Sequence, residues 1–146
     1  MKNDSLQIKG NIAYNKSLLT LTIRSVANYL RSLIRFKIRQ PWIQTSGFSR
    51  IHGSVHLNSP NKDIKFGHHV QLGPHCHISA DVHFGNYVLC AANVSFIGRN
   101  EHSYNIVGET IWESSRGVDK PTIVGHDVWI GHNSLILGGY ILEMDL

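Results

Sequence analysis

Residues 64–98 read IKFGHHVQLGPHCHISADVHFGNYVLCAANVSFIG, and a step of six residues through them decides the fold. From Phe66 the step lands on Leu72, Ile78, Phe84, Cys90 and Phe96, all of them apolar. Two residues ahead of each anchor a second row runs Ile64, Val70, Cys76, Val82, Val88 and Val94, mostly β-branched or small. The residue after each anchor is Gly67, Gly73, Ser79, Gly85, Ala91 and then Ile97, small in five of six cases. In a chain that is 42% hydrophobic, six apolar anchors in succession arise by chance about once in two hundred trials, before the second row is counted. After a gap the beat returns at Val124, Ile130 and Ile136, with Val128, Ser134 and Tyr140 in the companion row.

A helix repeats at 3.6 residues and a strand at 2, so a period of six belongs to neither alone. It suits short parallel strands, one per face of a solenoid, each sending an apolar anchor inward and joined by tight corners. Stacked coils then pair at the usual strand spacing and bury one continuous apolar column. The small residue beside each anchor is expected to let the backbone turn the corner. A sandwich of short strands would instead place turns at variable intervals of about 8–12 residues. The reading is an all-β solenoid, a parallel β-helix.

Working outward, an earlier coil is traced at Ile51, Val55 and Leu57, with Ser59, Pro60 and Asn61 as a bulging turn before the beat resumes at Ile64. Upstream, Leu19, Ile23, Val26, Leu30, Leu33 and Ile34 fall at helical spacing, while Arg24, Arg31 and Arg35 share another stripe. This spacing predicts a helix over Ser17–Ile38, stopped by Pro41. The domain organisation expected is a polar tail at 1–16, a basic amphipathic helix at 17–40, and a β-helix at 41–146 with an excursion loop at 98–121. The helix has two readings. It caps the open end of the solenoid, as solenoids require, or it lies on an anionic membrane surface.

Charge divides the chain in the same place. From Ser5 to Lys62 there are nine Lys and Arg and no Asp or Glu; from Asp63 onward nine acids face four bases. The net charge of +4 therefore averages two unlike segments, and no nucleic-acid partner is expected. Two cysteines, Cys76 and Cys90, make neither a disulfide framework nor a CxxC pair. With no apolar signal segment and no span long enough for a bilayer, a cytoplasmic location is expected, at the inner face of the membrane if the helix binds lipid.

The beat is interrupted once, by GRNEHSYNIVGETIWESSRGVDKP at 98–121. A long polar excursion from a regular solenoid is where function concentrates. It holds one imidazole, His102, and an imidazole of ordinary pKa ~6.5 is suited to take the proton of a hydroxyl nucleophile. Glu101, Glu109, Glu113 and Asp127 all stand as candidates to orient it.

SFIGRNEHSYN, IWESSRG and KPTIVGHDVWIGHNSLILGG together resemble the hexapeptide-repeat acyltransferases, most closely the O-acetyltransferases of capsule and exopolysaccharide synthesis. Galactoside, maltose and xenobiotic acetyltransferases share the broader pattern. The resemblance spans roughly Ile51 to Gly139. It implies a left-handed β-helix, a homotrimer with active sites between subunits, and acetyl transfer from acetyl-CoA to a sugar hydroxyl of a polysaccharide precursor. It also implies His102 as the catalytic base, and Trp129, Gly131 and His132 as residues lining the acetyl-CoA site, the amide of His132 being the oxyanion donor. Gln71 and Ser79 stand where the galactoside enzymes carry Asn and Asp, so their acceptor residues do not transfer and the acceptor stays open. An amino sugar or an antibiotic is an alternative acceptor.

Two other classes are weighed. The γ-type carbonic anhydrases share the β-helix and hold zinc through a His-x4-His pair, but no two of the ten histidines here are five apart, so no metal is expected. An inactive β-helix subunit is the other. The segment ILGGYILEMDL is read as a break in the period, with further coils missing after it. A continuation of the form Gly-Gly-Tyr-Thr-Ile-Gly-Asp-Gly-Ser yields these residues after a one-base deletion in the Thr codon, for suitably chosen codons. Ile141–Leu146 are accordingly expected to be an out-of-frame tail.

Overall fold

Residues 17–98, 102, 106–118 and 120–143 are described by the computed structural model. Short strands follow one another around three faces. Sheet 1 stacks β1 (Gln44–Thr45), β4 (Ile64–Phe66), β7 (Val82–Phe84), β10 (Thr122–Val124) and β13 (Ile141–Leu142). Sheet 2 stacks β2 (Arg50–Ile51), β5 (Gln71–Leu72), β8 (Leu89–Cys90) and β11 (Trp129–Ile130). Sheet 3 stacks β3 (His56–Asn58), β6 (His77–Ser79), β9 (Ser95–Ile97) and β12 (Leu135–Leu137). All pairings are parallel, and Ile64 pairs with Val82, eighteen residues later, which is three steps of six per coil. The molecule is a left-handed parallel β-helix.

The repeat becomes a packed column. All six anchors from Phe66 to Phe96, and their six companions, are at most 4% exposed. Phe66 and Phe84 stack at 5.1 Å between centroids, Phe96 meets Phe84 edge-on at 5.3 Å, and Phe36 closes the lower end against Phe66 at 5.5 Å. Such aromatic pairs each add roughly 0.5–1.5 kcal/mol beyond their buried area.

The corners are turned differently from the sequence expectation. At most corners the left-handed backbone is adopted not by glycine but by His69, His75, Tyr87, Asn93, Asp127 and Asn133, all with φ between 56° and 60°; Gly139, at φ 80°, takes it at the turn before β13. His, Asn and Asp tolerate this region better than most residues. The small residue after each anchor has a different purpose: it lets successive coils approach. A Cβ on Gly67 would stand 2.6 Å from the carbonyl carbon of Gly85, one on Gly85 2.7 Å from that of Gly125, and one on Gly73 2.7 Å from that of Ala91.

The ladder runs both ways. Coils donate amides forward, as in Arg50 N–H to Val70 O and Gln71 N–H to Val88 O, and backward, as in His69 N–H to Phe48 O and Val82 N–H to Asp63 O. The outer side of the first coil presents backbone groups, carbonyls among them, that no earlier coil pairs, an open edge of the kind that proteins cover. The helix α1 (Leu18–Ile34), its first turn capped by the Ser17 hydroxyl accepting from Thr20 N–H, supplies the missing donors together with the π-helical turn Arg35–Arg39. Ser32 Oγ donates to Ser49 O at 2.8 Å, Arg35 to Val55 O at 2.9 Å, and Gln40 to Leu57 O at 2.8 Å. Gln40 leaves the helical region ahead of Pro41, as a residue before proline must.

This settles which face of α1 turns inward. The polar face covers the solenoid; the apolar stripe Leu19, Ile23, Val26, Leu30, Leu33 and Ile34 is 37–71% exposed. The apolar part of the cap is Phe36 with Ile43, both buried. The first coil begins at Gln44, which pairs with Lys65, within the 41–146 range expected for the β-helix and one strand ahead of the Ile51 traced from the pattern. At the other end the period is not broken at once: Ile141 and Leu142 pair in register with Ile123 and Val124, and Leu142 takes the anchor position. Residues 144–146, with most of the expected out-of-frame tail's remainder, lie outside the described residues. No helix among the described residues is long and apolar enough to cross a membrane.

The coil-spacing argument makes a differential prediction. Gly85→Ala should destabilise by about 1–3 kcal/mol, the usual cost of forced overpacking. Gly131→Ala, where a Cβ meets only Ser134 Oγ at 3.9 Å, should stay within about 0.5 kcal/mol of the parent. Urea denaturation of the two variants measures this; equal losses would show that coil approach is not what selects glycine.

Candidate active site

The excursion leaves the solenoid after β9, at the corner between sheets 3 and 1, and returns at β10. Its order comes from one local turn. Thr110 Oγ1 donates to Glu113 Oε2 at 2.7 Å and accepts from Glu113 N–H at 3.3 Å, while Ser114 N–H reaches Thr110 O at 3.0 Å. Thr-x-x-Glu is the sequence pattern of a capped helical turn. The turn buries Ser114, 5% exposed, whose hydroxyl donates to Ile111 O at 2.9 Å.

His102 rests on this turn. It forms an antiparallel bridge with Arg116 and is partly buried, and its Nδ1 lies 2.8 Å from Ser114 O. A carbonyl oxygen only accepts, so Nδ1 carries the hydrogen, and in the neutral ring the lone pair is on Nε2. The group observed to orient His102 is thus a backbone carbonyl. Of the four acids considered, Glu113 is spent on Thr110, Asp127 is an exposed left-handed corner residue, Glu109 is exposed, and Glu101 lies outside the described residues. Ser114 was missed by sequence reasoning, although the Thr110-x-x-Glu113 pattern was available to find the turn that positions it. Asn100, Ser103 and Asn105, the loop polar residues flanking His102, also lie outside the described residues.

Trp129, Gly131 and His132 gather at another corner, between sheets 2 and 3. Trp129 projects from β11 directly above Leu89 and is 74% exposed. Gly131 follows, its carbonyl accepting from Ser134 Oγ at 2.9 Å, and His132 is exposed in the corner turn. At this corner the ladder uses the amides of Gly73 and Ala91, to Cys90 O and Ile130 O, and those of Asn93 and Asn133, to Pro74 O and Ala92 O. The column between them is Pro74, Ala92 and His132. A proline serves in that column, so an N–H is not needed there by the stack, and the amide of His132 donates to no backbone carbonyl among the described residues. The three residues therefore sit together, but on a different corner of the prism from the one that emits His102.

The remaining histidines are engaged along the stack. His56 and His77 stack at 4.8 Å, His69 and Tyr87 at 5.0 Å, His83 pairs with Asp63 at 2.8 Å, and His126 Nδ1 accepts from Asn86 N–H at 3.0 Å. Among the described residues no three His, Cys, Asp or Glu side chains are grouped as metal ligands. Burial raises both thiols above their ordinary value, Cys90 the more, so neither serves as a nucleophile near neutral pH. Besides the stripe on α1, exposed apolar side chains include Trp112, 90% exposed in the loop, Trp129, and Leu135 and Leu137 on the following strand. No protein family, curated protein or solved structure matches the chain.

The tautomer of His102 is directly measurable. The ¹⁵N shifts of the neutral ring should report a protonated Nδ1 and an unprotonated Nε2, and Ser114→Pro, which disturbs the turn, should mix the tautomers. A neutral ring protonated on Nε2 in the parent protein would contradict the arrangement.

Proposed function

We propose that the chain is an acyltransferase moving an acetyl group from acetyl-CoA to a hydroxyl of a sugar or polysaccharide precursor. The observation that carries this reading is the loop histidine held through Nδ1 by Ser114 O, which leaves Nε2 as a base. In the reaction Nε2 takes the hydroxyl proton as the oxygen bonds to the thioester carbonyl carbon. The amide of His132 donates to the oxyanion that develops. As the carbon–sulfur bond breaks, the imidazolium returns the proton to the departing thiolate, leaving ester and thiol. A positioned base of this kind contributes roughly 10²–10⁴-fold.

His102 and the Trp129–Gly131–His132 corner lie at different corners of one chain, so the reaction needs a second copy. In a homotrimer the loop of one subunit reaches the corner of the next, and the exposed Trp112 and Trp129 with Leu135 and Leu137 supply the apolar surface to be covered. The alternative, a binding subunit without activity, keeps the fold and loses the chemistry. His102→Ala should lower kcat about 10²–10⁴-fold with acetyl-CoA affinity little changed. Mixing His102→Ala with Trp129→Ala subunits should restore part of the rate, since some mixed interfaces carry both intact groups. Full-rate turnover by His102→Ala removes the base assignment, and failure of mixed trimers to recover removes the shared site.

The outward stripe of α1 supports a location at an anionic membrane surface. An amphipathic helix with its apolar side exposed and only cations among the charges of its segment is built to lie in a lipid interface. Co-sedimentation with vesicles should require acidic lipid, weaken as salt is raised, and be abolished by Ile23→Asp with Leu30→Asp. If the double variant still binds vesicles but changes the oligomeric state, the stripe is a contact between copies instead.

A further inference from the structure

Because α1 faces the solenoid with its polar side, the space between helix and sheet 2 is lined by charge rather than filled by apolar packing. Two adjoining cavities of about 620 and 450 Å³ run along this seam and share Arg24, Asn28, Arg50 and Gln71. Arg31 joins from the helix in the second of them. Arg35, by contrast, is consumed in capping the carbonyls of Val55 and Gly53. Arg31 touches Asn28 Oδ1 at 3.2 Å, and none of the three groove arginines is in a salt bridge with a described residue. No Asp or Glu among the described residues lines either cavity. The positive field is felt nearby: burial, then Arg31, His75 and Arg50, lowers the pKa of His52, whose ring borders the groove. The other end of the seam is apolar, with Leu21, Phe48 and Leu89, and it is floored by the His69–Tyr87 stack.

We infer that this seam is a binding site for a phosphate ester carrying an apolar or planar portion. Guanidinium groups match phosphate oxygens in geometry. Three uncompensated cations suit a group bearing roughly −1.5 to −2 better than a single carboxylate. The apolar end receives the remainder of the ligand, a ring against Tyr87 and His69 or a chain against Leu21 and Leu89. The same chemistry is presented by a soluble nucleotide and by a lipid headgroup. The inference does not depend on acyl transfer, and Trp129 lines neither cavity.

Isothermal titration of the full chain with two probes tests it: ADP, and dihexanoyl phosphatidic acid kept monomeric, with dihexanoyl phosphatidylcholine as the neutral-headgroup comparison. At least one phosphate probe should bind saturably; ADP alone assigns a nucleotide, phosphatidic acid alone assigns a lipid phosphate. Arg24→Gln with Arg50→Gln should weaken that binding about tenfold or more, as expected for loss of hydrogen bonds from charged donors. Lys37→Gln with Arg39→Gln removes the same charge outside the groove and should change it less than about threefold, because exposed charges act weakly at a distance. Ser25→Glu, which sets a carboxylate in the groove from an exposed helix position, should abolish binding, and it gives a second test if the double arginine variant does not fold. The inference is overturned if neither phosphate probe binds, if phosphatidylcholine binds equally, or if the Lys37 and Arg39 pair matters as much as the arginines of the groove.

Discussion

Coil-on-coil hydrogen bonding governs the rest of the molecule: every coil exchanges amides and carbonyls with its neighbours, and the first coil has no earlier one to pair with. Its outward carbonyls include those of Ser49, Val55 and Leu57. An unpartnered backbone group away from water costs as much as a lost hydrogen bond, so these carbonyls need donors. Ser32, Arg35 and Gln40 provide them, each at the foot of a different acceptor column. That demand outranks the ordinary preference of an amphipathic helix to bury its apolar stripe. The stripe is left facing outward, and the arginines are left facing a seam that no acid among the described residues lines.

The same close stacking explains the composition of the corners. Coils that pair throughout bring backbone carbonyls up to the residue following each anchor, and only a missing or minimal side chain fits there. The turning itself is delegated to residues two positions further on, where side chains point into solvent. His69 and Tyr87, both in left-handed geometry on successive coils, stack on one another and become the floor of the arginine seam. A backbone requirement of the fold thus creates a surface that a ligand can use.

Function concentrates where regular stacking is suspended. In the excursion a single turn nucleated by Thr110 holds Ser114 O against His102, so the imidazole is set by the backbone rather than by a carboxylate. A neutral acceptor fixes the tautomer without adding a neighbouring charge. At the corner of Trp129 the useful feature is the His132 amide, in a column where Pro74 shows that the stack requires no N–H.

Periodicity was enough to determine the solenoid, its inner rows from Ile64 to Phe96, the return of the beat at Val124, and the excursion with its one histidine. These are local properties: an inward side chain every six residues leaves its mark in the chain whatever lies around it. The helix of 17–38 was equally legible, since helical spacing is also local. Which face of that helix turns inward was not, because the deciding partners, the carbonyls of Ser49, Val55 and Leu57, are backbone groups that every sequence possesses. The reason for each corner glycine was hidden likewise, since the atom that excludes a Cβ belongs to a coil eighteen residues away or more. The partner of His102 was a carbonyl twelve residues along, and the separation of His102 from Trp129 onto different corners follows from where the coils close. Tertiary structure decided these points because each depends on which backbone atoms are brought opposite one another.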